Sequence, residues 1–283
     1  MAFIDSVPPP QWPPGAVEEF AVAAGKYGSA AACSLMQIKA ARDRRDNNDA
    51  MSHHTPHLER FAASVLPIGL PDVTAAEIRS LATVVSLRRG SIAAIVEGES
   101  SLVFLVKGAT KLVAHTALAR EQIVGFHFTD DLVLVPLASA HHYSLQALVD
   151  SELLIFDYGA FRAIAASEPQ LLGPLLDACV EALARLRDKA VNLGRKTAPE
   201  RVAAFLESMQ SRLGAASEGF SRLDLPMSRR DIADSLGLTI ETVSRQFTRL
   251  REDGVITTRG RCGVEIVDPA ALAARSGRKL RVA

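Results

Sequence analysis

Three side chains near the end of the chain have the types and the spacing that can read base edges in DNA. Glu241, Ser244 and Arg245 fall at i, i+3 and i+4, so they share one face if this stretch is helical. Arginine can bind O6 and N7 of guanine with two hydrogen bonds, glutamate can accept from N4 of cytosine, and serine can reach several bases. Thr248 extends the same face by one turn. This stripe predicts contacts in a major groove.

The elements that must position the stripe are two short helices joined by a tight turn. Ser228 is a suitable N-cap for the first helix, Gly237 can adopt the positive φ that ends it, and Thr239 can cap the second. Apolar residues recur at intervals of 3, 4 and 3 on the opposite face of the second helix: Ile240, Val243, Phe247 and Leu250. The pattern is that of a helix-turn-helix, in which one face packs and the other meets the groove.

A predicted β-hairpin follows the second helix. Two β-rich runs flank the sequence Arg259-Gly260-Arg261-Cys262-Gly263, so the tip of the hairpin is basic. Such a wing would place arginines against phosphate, which positions a domain on DNA without specifying sequence. The predicted contacts to the DNA backbone are Ser228, Thr239, Thr242, Thr248, Arg249, Arg259 and Arg261.

Cys262 is the one cysteine in this predicted DNA-binding region. The neighbouring Arg261 could favour its thiolate, and oxidation to a charged acid would repel phosphate. A redox switch is therefore one hypothesis for Cys262. The alternative is a small side chain that only fills space.

Residues 227–267 resemble the winged helix of the Crp/Fnr family of bacterial transcription regulators. The run from Leu238 to Arg245 carries the E-x-x-S-R pattern of the Fnr and FixK branches. The resemblance implies a TTGA-type half-site, with Arg245 on guanine, Glu241 on a cytosine and Ser244 on a flanking thymine. It also implies a homodimer on a palindromic operator, an activator that contacts RNA polymerase, and control of low-oxygen, nitrogen or respiratory genes.

The whole chain is predicted to be an α+β protein in four parts. Residues 56–165 alternate short β-rich runs with glycines near turns, which is typical of an antiparallel β-roll, and they resemble the cyclic-nucleotide-binding-like sensor domain of the family. Residues 166–194 predict a dimerisation helix that ends at Gly194, and residues 195–283 form the winged helix-turn-helix domain. Residues 1–55 are predicted to form a partly disordered extension, and the run from Arg42 to His57 is predicted to be a polar linker.

A heptad seam runs along the predicted dimerisation helix. Apolar residues recur at alternating intervals of 4 and 3, at Leu172, Leu176, Cys179, Leu183, Leu186, Ala190 and Leu193. One interpretation is that this stripe packs only on the roll; the favoured one is a parallel homodimer, with all of these except Ala190 at the interface. The seam contains no acidic residue that would hold monomers apart, so we expect a dimer that needs neither a ligand nor the absence of oxygen.

No cofactor is expected. Cys33 stands alone in the extension, and Leu153 and Leu154 occupy the place of the cysteine that iron–sulfur members of the family carry in the sensor domain. The stretches that resemble the cyclic-nucleotide site, Asp130-Asp131-Leu132 and Tyr143-Ser144, offer no arginine for a cyclic phosphate. No metal-ligand spacing links the histidines His53, His54, His57, His115, His127, His141 and His142, and the pair His141-His142 is expected in a surface loop. A haem- or small-ligand-gated sensor remains the alternative.

Charge is distributed unevenly along a chain whose net charge is zero. Residues 195–283 carry 16 Lys and Arg against 11 Asp and Glu, so the basic part coincides with the predicted helix-turn-helix. No run of 18 apolar residues and no secretory signal is present, and we expect a cytoplasmic protein without a membrane partner. An enzyme is not expected, because the sequence shows no nucleophile–base pair, phosphate-binding loop or metal motif.

Overall fold

In the described residues, two helices and two β-sheets come first, followed by a long helix and a second, mainly helical region. The computed structural model describes residues 51–95, 100–115, 121–136, 141–217, 220–260 and 262–277. The predictions for Cys33, for the extension before residue 51, and for the side chains of His53 and His54 lie outside the described residues.

The first region is an antiparallel roll preceded by two helices, α1 (Met51–Val65) and α2 (Asp72–Leu81). Its strands are β1 (Thr83–Leu87), β2 (Ser101–Lys107), β3 (Ala109–His115), β4 (Glu121–Phe128), β5 (Leu132–Val135), β6 (His142–Ala147) and β7 (Ser151–Asp157). One sheet has the order β1-β7-β2-β5 and the other β4-β3-β6. The described pairings are antiparallel, as predicted.

Helix α1 corrects the prediction of a polar linker that ends at His57, because the backbone is already helical from Met51 and stays so to Val65. Leu58, Phe61 and Val65 recur at helical spacing on one side of α1 and pack against the core of the first sheet. The Phe61 ring is fully buried, with its centroid 4.8 Å from that of Phe156. One turn before Phe61, His57 Nε2 lies 2.8 Å from the carboxylate of Glu152 on β7. Packing on the sheet therefore makes a helix of a stretch whose composition suggests a loop.

A long helix, α4 (Leu172–Arg195), follows the short α3 (Tyr158–Ser167) and a 3-10 turn (Pro169–Leu171). None of the residues of α4 is fully buried. Gly194 does not end the helix as predicted, because α4 continues through Arg195 and the extended backbone comes at Lys196, with ψ 146°. The next helix begins almost at once, with Thr197 and Glu200 forming a capping box.

The last region consists of helices packed on a small sheet. Its elements are α5 (Ala198–Leu213), β8 (Ala215–Ser217), β9 (Phe220–Asp224), α6 (Arg229–Leu236), α7 (Ile240–Glu252), β10 (Ile256–Arg259), β11 (Gly263–Ile266) and α8 (Pro269–Arg275). The strand order is β10-β11-β9-β8. Helix α5 buries Val202, Phe205, Leu206 and Met209 in the core of this region. Val243, Phe247 and Leu250 of α7 join the same cluster. The predicted α+β architecture is confirmed.

In the part of the chain that the structure describes, no helix combines the length and the apolar character needed to cross a membrane. The same residues contain no group of three or more His, Cys, Asp or Glu side chains arranged to hold a metal ion.

Candidate DNA-binding site

Helix α6 is the first helix of the predicted helix-turn-helix, and its N-terminus is held by a reciprocal cap. The Ser228 hydroxyl accepts from the Asp231 backbone N–H at 3.2 Å, while the Asp231 carboxylate accepts from the Ser228 backbone N–H at 2.8 Å. Lys111 of strand β3 also donates to this carboxylate, at 2.6 Å. Burial would raise the pKa of Asp231, but the hydrogen bonds from Lys111 and Ser228 outweigh it and hold the pKa below its usual value.

The turn between α6 and α7 has the geometry that the sequence predicts. Gly237 adopts a left-handed conformation with φ 61°, which ends α6 sharply. The Thr239 hydroxyl then accepts from the Thr242 backbone N–H at 3.2 Å and caps α7. Arg201 of α5 links this turn to α4. Its guanidinium donates to the carbonyl of Leu236 at 3.0 Å and to that of Leu193 at 2.8 Å.

Helix α7 separates its packing face from its polar face. Val243, Phe247 and Leu250 are buried, as predicted, and Ile240 is half-buried beside them. The exposed side chains on the other face are Glu241, Ser244, Arg245 and Thr248. The structure thus brings the three predicted base-reading residues together on one accessible stripe, and their contact with bases stays a prediction.

The charges at the start of α7 suit opposite partners in a groove. A hydrogen bond from its own backbone N–H, followed by one from the Thr239 hydroxyl, lowers the pKa of Glu241, so the side chain is a carboxylate at neutral pH. Arg230 of α6 adds a smaller attraction. One turn along, an Arg245 guanidinium nitrogen lies 3.5 Å from the Thr242 hydroxyl. The stripe therefore presents a hydrogen-bond acceptor and a donor fork side by side.

Two arginines of α6 were missed by sequence reasoning. The guanidinium carbon of Arg229 lies 3.3 Å from the centroid of the Phe247 ring, a cation–π contact that joins the two helices. Burial lowers the pKa of Arg229 to about 10, which leaves it charged at neutral pH. Arg230 is exposed and close to Glu241. Both arginines directly follow the N-cap Ser228 in the basic part of the chain, and this position could have marked them as candidates for the site.

The predicted wing is the hairpin of β10 and β11. Gly260 turns it with φ 61°, and the Arg259 side chain is 71% exposed, with one nitrogen 3.5 Å from the Glu265 carboxylate. Cys262 is exposed at the tip. Arg261 lies outside the described residues. The pair with Glu265 is loose enough for phosphate to compete for Arg259.

The remaining predicted backbone contacts surround α7. Thr248 and Arg249 are exposed. Ser228 and Thr239 are exposed as well, although their hydroxyls already serve as helix caps, and Thr242 is half-buried. These residues lie on the helix-turn-helix and its caps, and their contact with phosphate stays a prediction.

Comparison with known proteins decides the family. A family model described as a Crp-like helix-turn-helix domain matches residues 200–275. The nitrogen fixation regulation protein FixK of Bradyrhizobium diazoefficiens is 39% identical over 171 residues, which cover 60% of this chain and 71% of FixK. The chain belongs to the Crp/Fnr family of transcription regulators.

Other Crp/Fnr proteins support the same assignment. The transcriptional activator protein Anr of Pseudomonas aeruginosa is 32% identical over 225 residues, covering 77% of this chain and 92% of Anr. The solved structure of FixK2 from Bradyrhizobium japonicum has 30% identity and a TM-score of 0.61, and the match covers 70% of this chain and 99% of that one. The resemblance to the FixK branch is thereby confirmed, and the family is one of transcription regulators rather than enzymes.

The long helix α4 is the helix for which the sequence predicts dimerisation, and its pairing with a second copy stays a prediction. The predicted seam residues Leu172, Leu176, Cys179, Leu183 and Leu186 are exposed. Val180 and Val191 are exposed too and widen the apolar face. Leu193 departs from the pattern because it is half-buried and its side chain approaches Gly237, so it packs on the helix-turn-helix.

The residues that resemble the cyclic-nucleotide site of the family make contacts within the protein. Asp130, with φ 73° at the turn after β4, receives two hydrogen bonds from Arg60, at 2.7 and 2.8 Å. Asp131 receives one from Arg212. The Ser144 hydroxyl lies 2.7 Å from His115 Nε2. Both carboxylates are therefore paired with arginines of the same chain.

Strands of the roll carry Leu153 and Leu154 and three of the histidines, His115, His127 and His142. Leu153 and Leu154 are buried in the core of the first sheet. His142 begins strand β6, which corrects the expectation of a surface loop for the second residue of the pair, because it pairs with His115 on β3. His127 is 15% exposed, and neither of its ring nitrogens has a hydrogen-bond partner.

Proposed function

We propose that this regulator reads TTGA-type half-sites through Glu241, Ser244 and Arg245. The observation that supports this most is their joint exposure on α7, while the opposite face of the helix is fixed in the core. A C·G pair presents an amino donor on cytosine and two acceptors on guanine in the major groove. The Glu241 carboxylate and the Arg245 guanidinium are the complementary groups.

Affinity that does not depend on sequence would come from the basic and hydroxyl side chains around the stripe. Arg249 on α7, Arg259 on β10 and Arg230 on α6 are exposed. Each arginine that neutralises a phosphate releases counterions, which makes binding dependent on salt. These contacts would fix the register of the domain on the duplex.

Pairing of two α4 helices would make the target a palindrome. The exposed apolar face from Leu172 to Val191 offers each protomer a surface for an identical partner. A twofold axis along the pair relates the two α7 helices, and half-sites then lie roughly one helical turn, about 34 Å, apart.

The regulated genes are proposed from relatives. FixK is named for regulation of nitrogen fixation and Anr as a transcriptional activator. We therefore expect an activator of low-oxygen, nitrogen or respiratory genes, with RNA polymerase as its second partner. Mapping of bound sites across the genome under aerobic and microaerobic growth would test the gene set.

A specificity measurement tests the base-reading proposal. The protein is titrated with a TTGA palindrome and with duplexes in which the guanine of each half-site is replaced in turn. The wild type should discriminate by about 1–3 kcal/mol per changed pair, and Glu241→Gln should lose part of that preference. Glu252→Gln, at the far exposed end of α7, is the matched control and should keep it. Equal discrimination by Glu241→Gln and wild type would remove Glu241 from base readout.

A further inference from the structure

The helix-turn-helix is docked on the roll of its own chain through a continuous apolar contact. Residues of β3 and β4, including Val113, Ile123 and Phe126, share one buried cluster with residues of α5, α6 and α7. The rings of Phe126 and Phe205 meet edge to face, with centroids 6.1 Å apart. Apolar contact of this kind is non-directional, so it leaves the orientation of the docked domain to polar groups.

Lys111 supplies the first of these polar contacts. Its ammonium lies 2.6 Å from the Asp231 carboxylate, and the two side chains are only 16% and 13% exposed. Asp231 also completes the capping box of α6 with the N-cap Ser228, so a residue of the roll holds the N-terminus of the first helix of the motif. Gln122 of β4 reaches the other end of α6, where its amide donates to the Asp234 carbonyl at 2.6 Å.

Arg212, on α5, supplies a second contact. Its guanidinium donates to the Phe126 carbonyl at 2.9 Å and to the Asp131 carboxylate. The same group lies over the Phe128 ring, 4.5 Å from the centroid. A planar guanidinium with partners in several directions fixes orientation better than a point charge can.

Lys189 joins the dimerisation helix to both of the other regions. Its ammonium donates to the carbonyls of Ile123 and Val124 on β4 and to the Ser235 hydroxyl on α6, the latter two at 3.1 and 3.2 Å. One side chain of α4 thereby touches the roll and the helix-turn-helix together. Lys189 therefore fixes the position of α6 relative to α4, and α7 follows because it is joined to α6.

We propose that Lys111, Lys189 and Arg212 are positioning residues that set the half-site spacing of the operator. The inference rests on the proposed function, in which two α4 helices pair about a twofold axis. With α4 on the axis, the distance between the two α7 helices depends on how each is held relative to α4. One base pair corresponds to about 3.4 Å, so a small loosening of the docking admits operators of neighbouring spacing.

The test varies the spacer between two TTGA half-sites one base pair at a time. Lys111→Met removes the ammonium but keeps the length of the side chain, Lys111→Arg restores the charge, and Lys107→Met is the matched control at an exposed lysine of the roll. The wild type and Lys107→Met should show one sharp spacing optimum. Lys111→Met should bind roughly tenfold more weakly at that spacing, a change of about 1.4 kcal/mol. For operators with a spacer one base pair longer or shorter, its loss of affinity relative to the wild type should be smaller.

Two further readouts separate positioning from DNA contact and from folding. The slope of log affinity against log salt should be unchanged in Lys111→Met, because Lys111 contacts Asp231 and not phosphate. Lys111→Arg should recover the sharp optimum. If Lys111→Met does not fold, Lys189→Met is measured in its place, with the same broadened spacing expected.

Different outcomes would overturn the positioning role and the proposed function. A sharp optimum in the wild type that persists unchanged in Lys111→Met and Lys189→Met would overturn the positioning role and leave the proposed function standing. No preference of the wild type for any TTGA palindrome would instead overturn the proposed function. A salt slope that falls by about one in Lys111→Met would mean that Lys111 binds phosphate, which contradicts positioning.

Discussion

Replacing His127 by leucine should make the protein more resistant to acid than the wild type. His127 lies on β4 with both ring nitrogens buried and without hydrogen-bond partners. Burial, followed by the nearby guanidinium groups of Arg212 and Arg185, lowers its pKa to about 3. The Asp131 carboxylate, 3.8 Å from Nδ1, would favour the charged ring, but Arg212 already pairs with it. Leucine has a similar volume and no charge to bury.

The size of the effect follows from proton linkage. In the unfolded chain His127 takes up a proton below its ordinary pKa of about 6.5, whereas in the folded protein it stays neutral down to about 3. Stability is therefore lost as the pH falls through this window. At pH 5, about 1.5 below the pKa of the unfolded state, protonation of the unfolded chain lowers the free energy of unfolding by roughly 2 kcal/mol. At about pH 7.5 it lowers it by almost nothing.

Urea unfolding of wild type and His127→Leu at about pH 7.5 and pH 5 measures this difference, because the free energy of unfolding is linear in denaturant. The gap between the two proteins should shift by about 2 kcal/mol in favour of the variant on going to the lower pH. Parallel pH dependences would refute the reasoning, since they would mean that His127 titrates alike in the folded and unfolded states.

The remaining predictions concern DNA and the dimer. Arg245→Ala should cost about 1–3 kcal/mol on the TTGA operator and relax preference at the guanine; equal losses on random DNA would contradict this. Arg259→Ala should weaken binding to all sequences alike and lower the salt slope by about one, as measured by titrations at several salt concentrations. Leu183→Glu should dissociate the homodimer at micromolar concentration in sedimentation, because a buried unpaired carboxylate costs several kcal/mol, and a wild type that is itself an aerobic monomer would refute the dimer. Peroxide should weaken operator binding of wild type but not of Cys262→Ser if Cys262 is a redox switch, and equal binding by both would end that hypothesis.

The helix-turn-helix was predictable because its determinants are local. Ser228, Gly237 and Thr239 set the ends of α6 and α7 through contacts within a few residues. The spacing of Val243, Phe247 and Leu250 fixes which face is buried, and the stripe from Glu241 to Arg245 follows on the other face.

The contacts that dock this motif were not predictable, because they join residues far apart in sequence. The contact between Lys111 and Asp231 spans 120 residues, and no local pattern marks either residue as a partner. The same limit explains Leu193, which fits the seam by spacing and yet packs near Gly237. Helix α1 escaped notice since its polar residues hide Leu58, Phe61 and Val65, whose role appears only against the roll.

The proposed binding mode is a dimer that lays the Glu241, Ser244 and Arg245 stripe of each protomer into a symmetric TTGA operator. Its most direct test is the ratio of dissociation constants of the wild-type protein for a TTGA palindrome and for a scrambled duplex of the same composition, at moderate salt. The palindrome should bind at least about a thousandfold more tightly. Equal affinity for the two duplexes would contradict this binding mode.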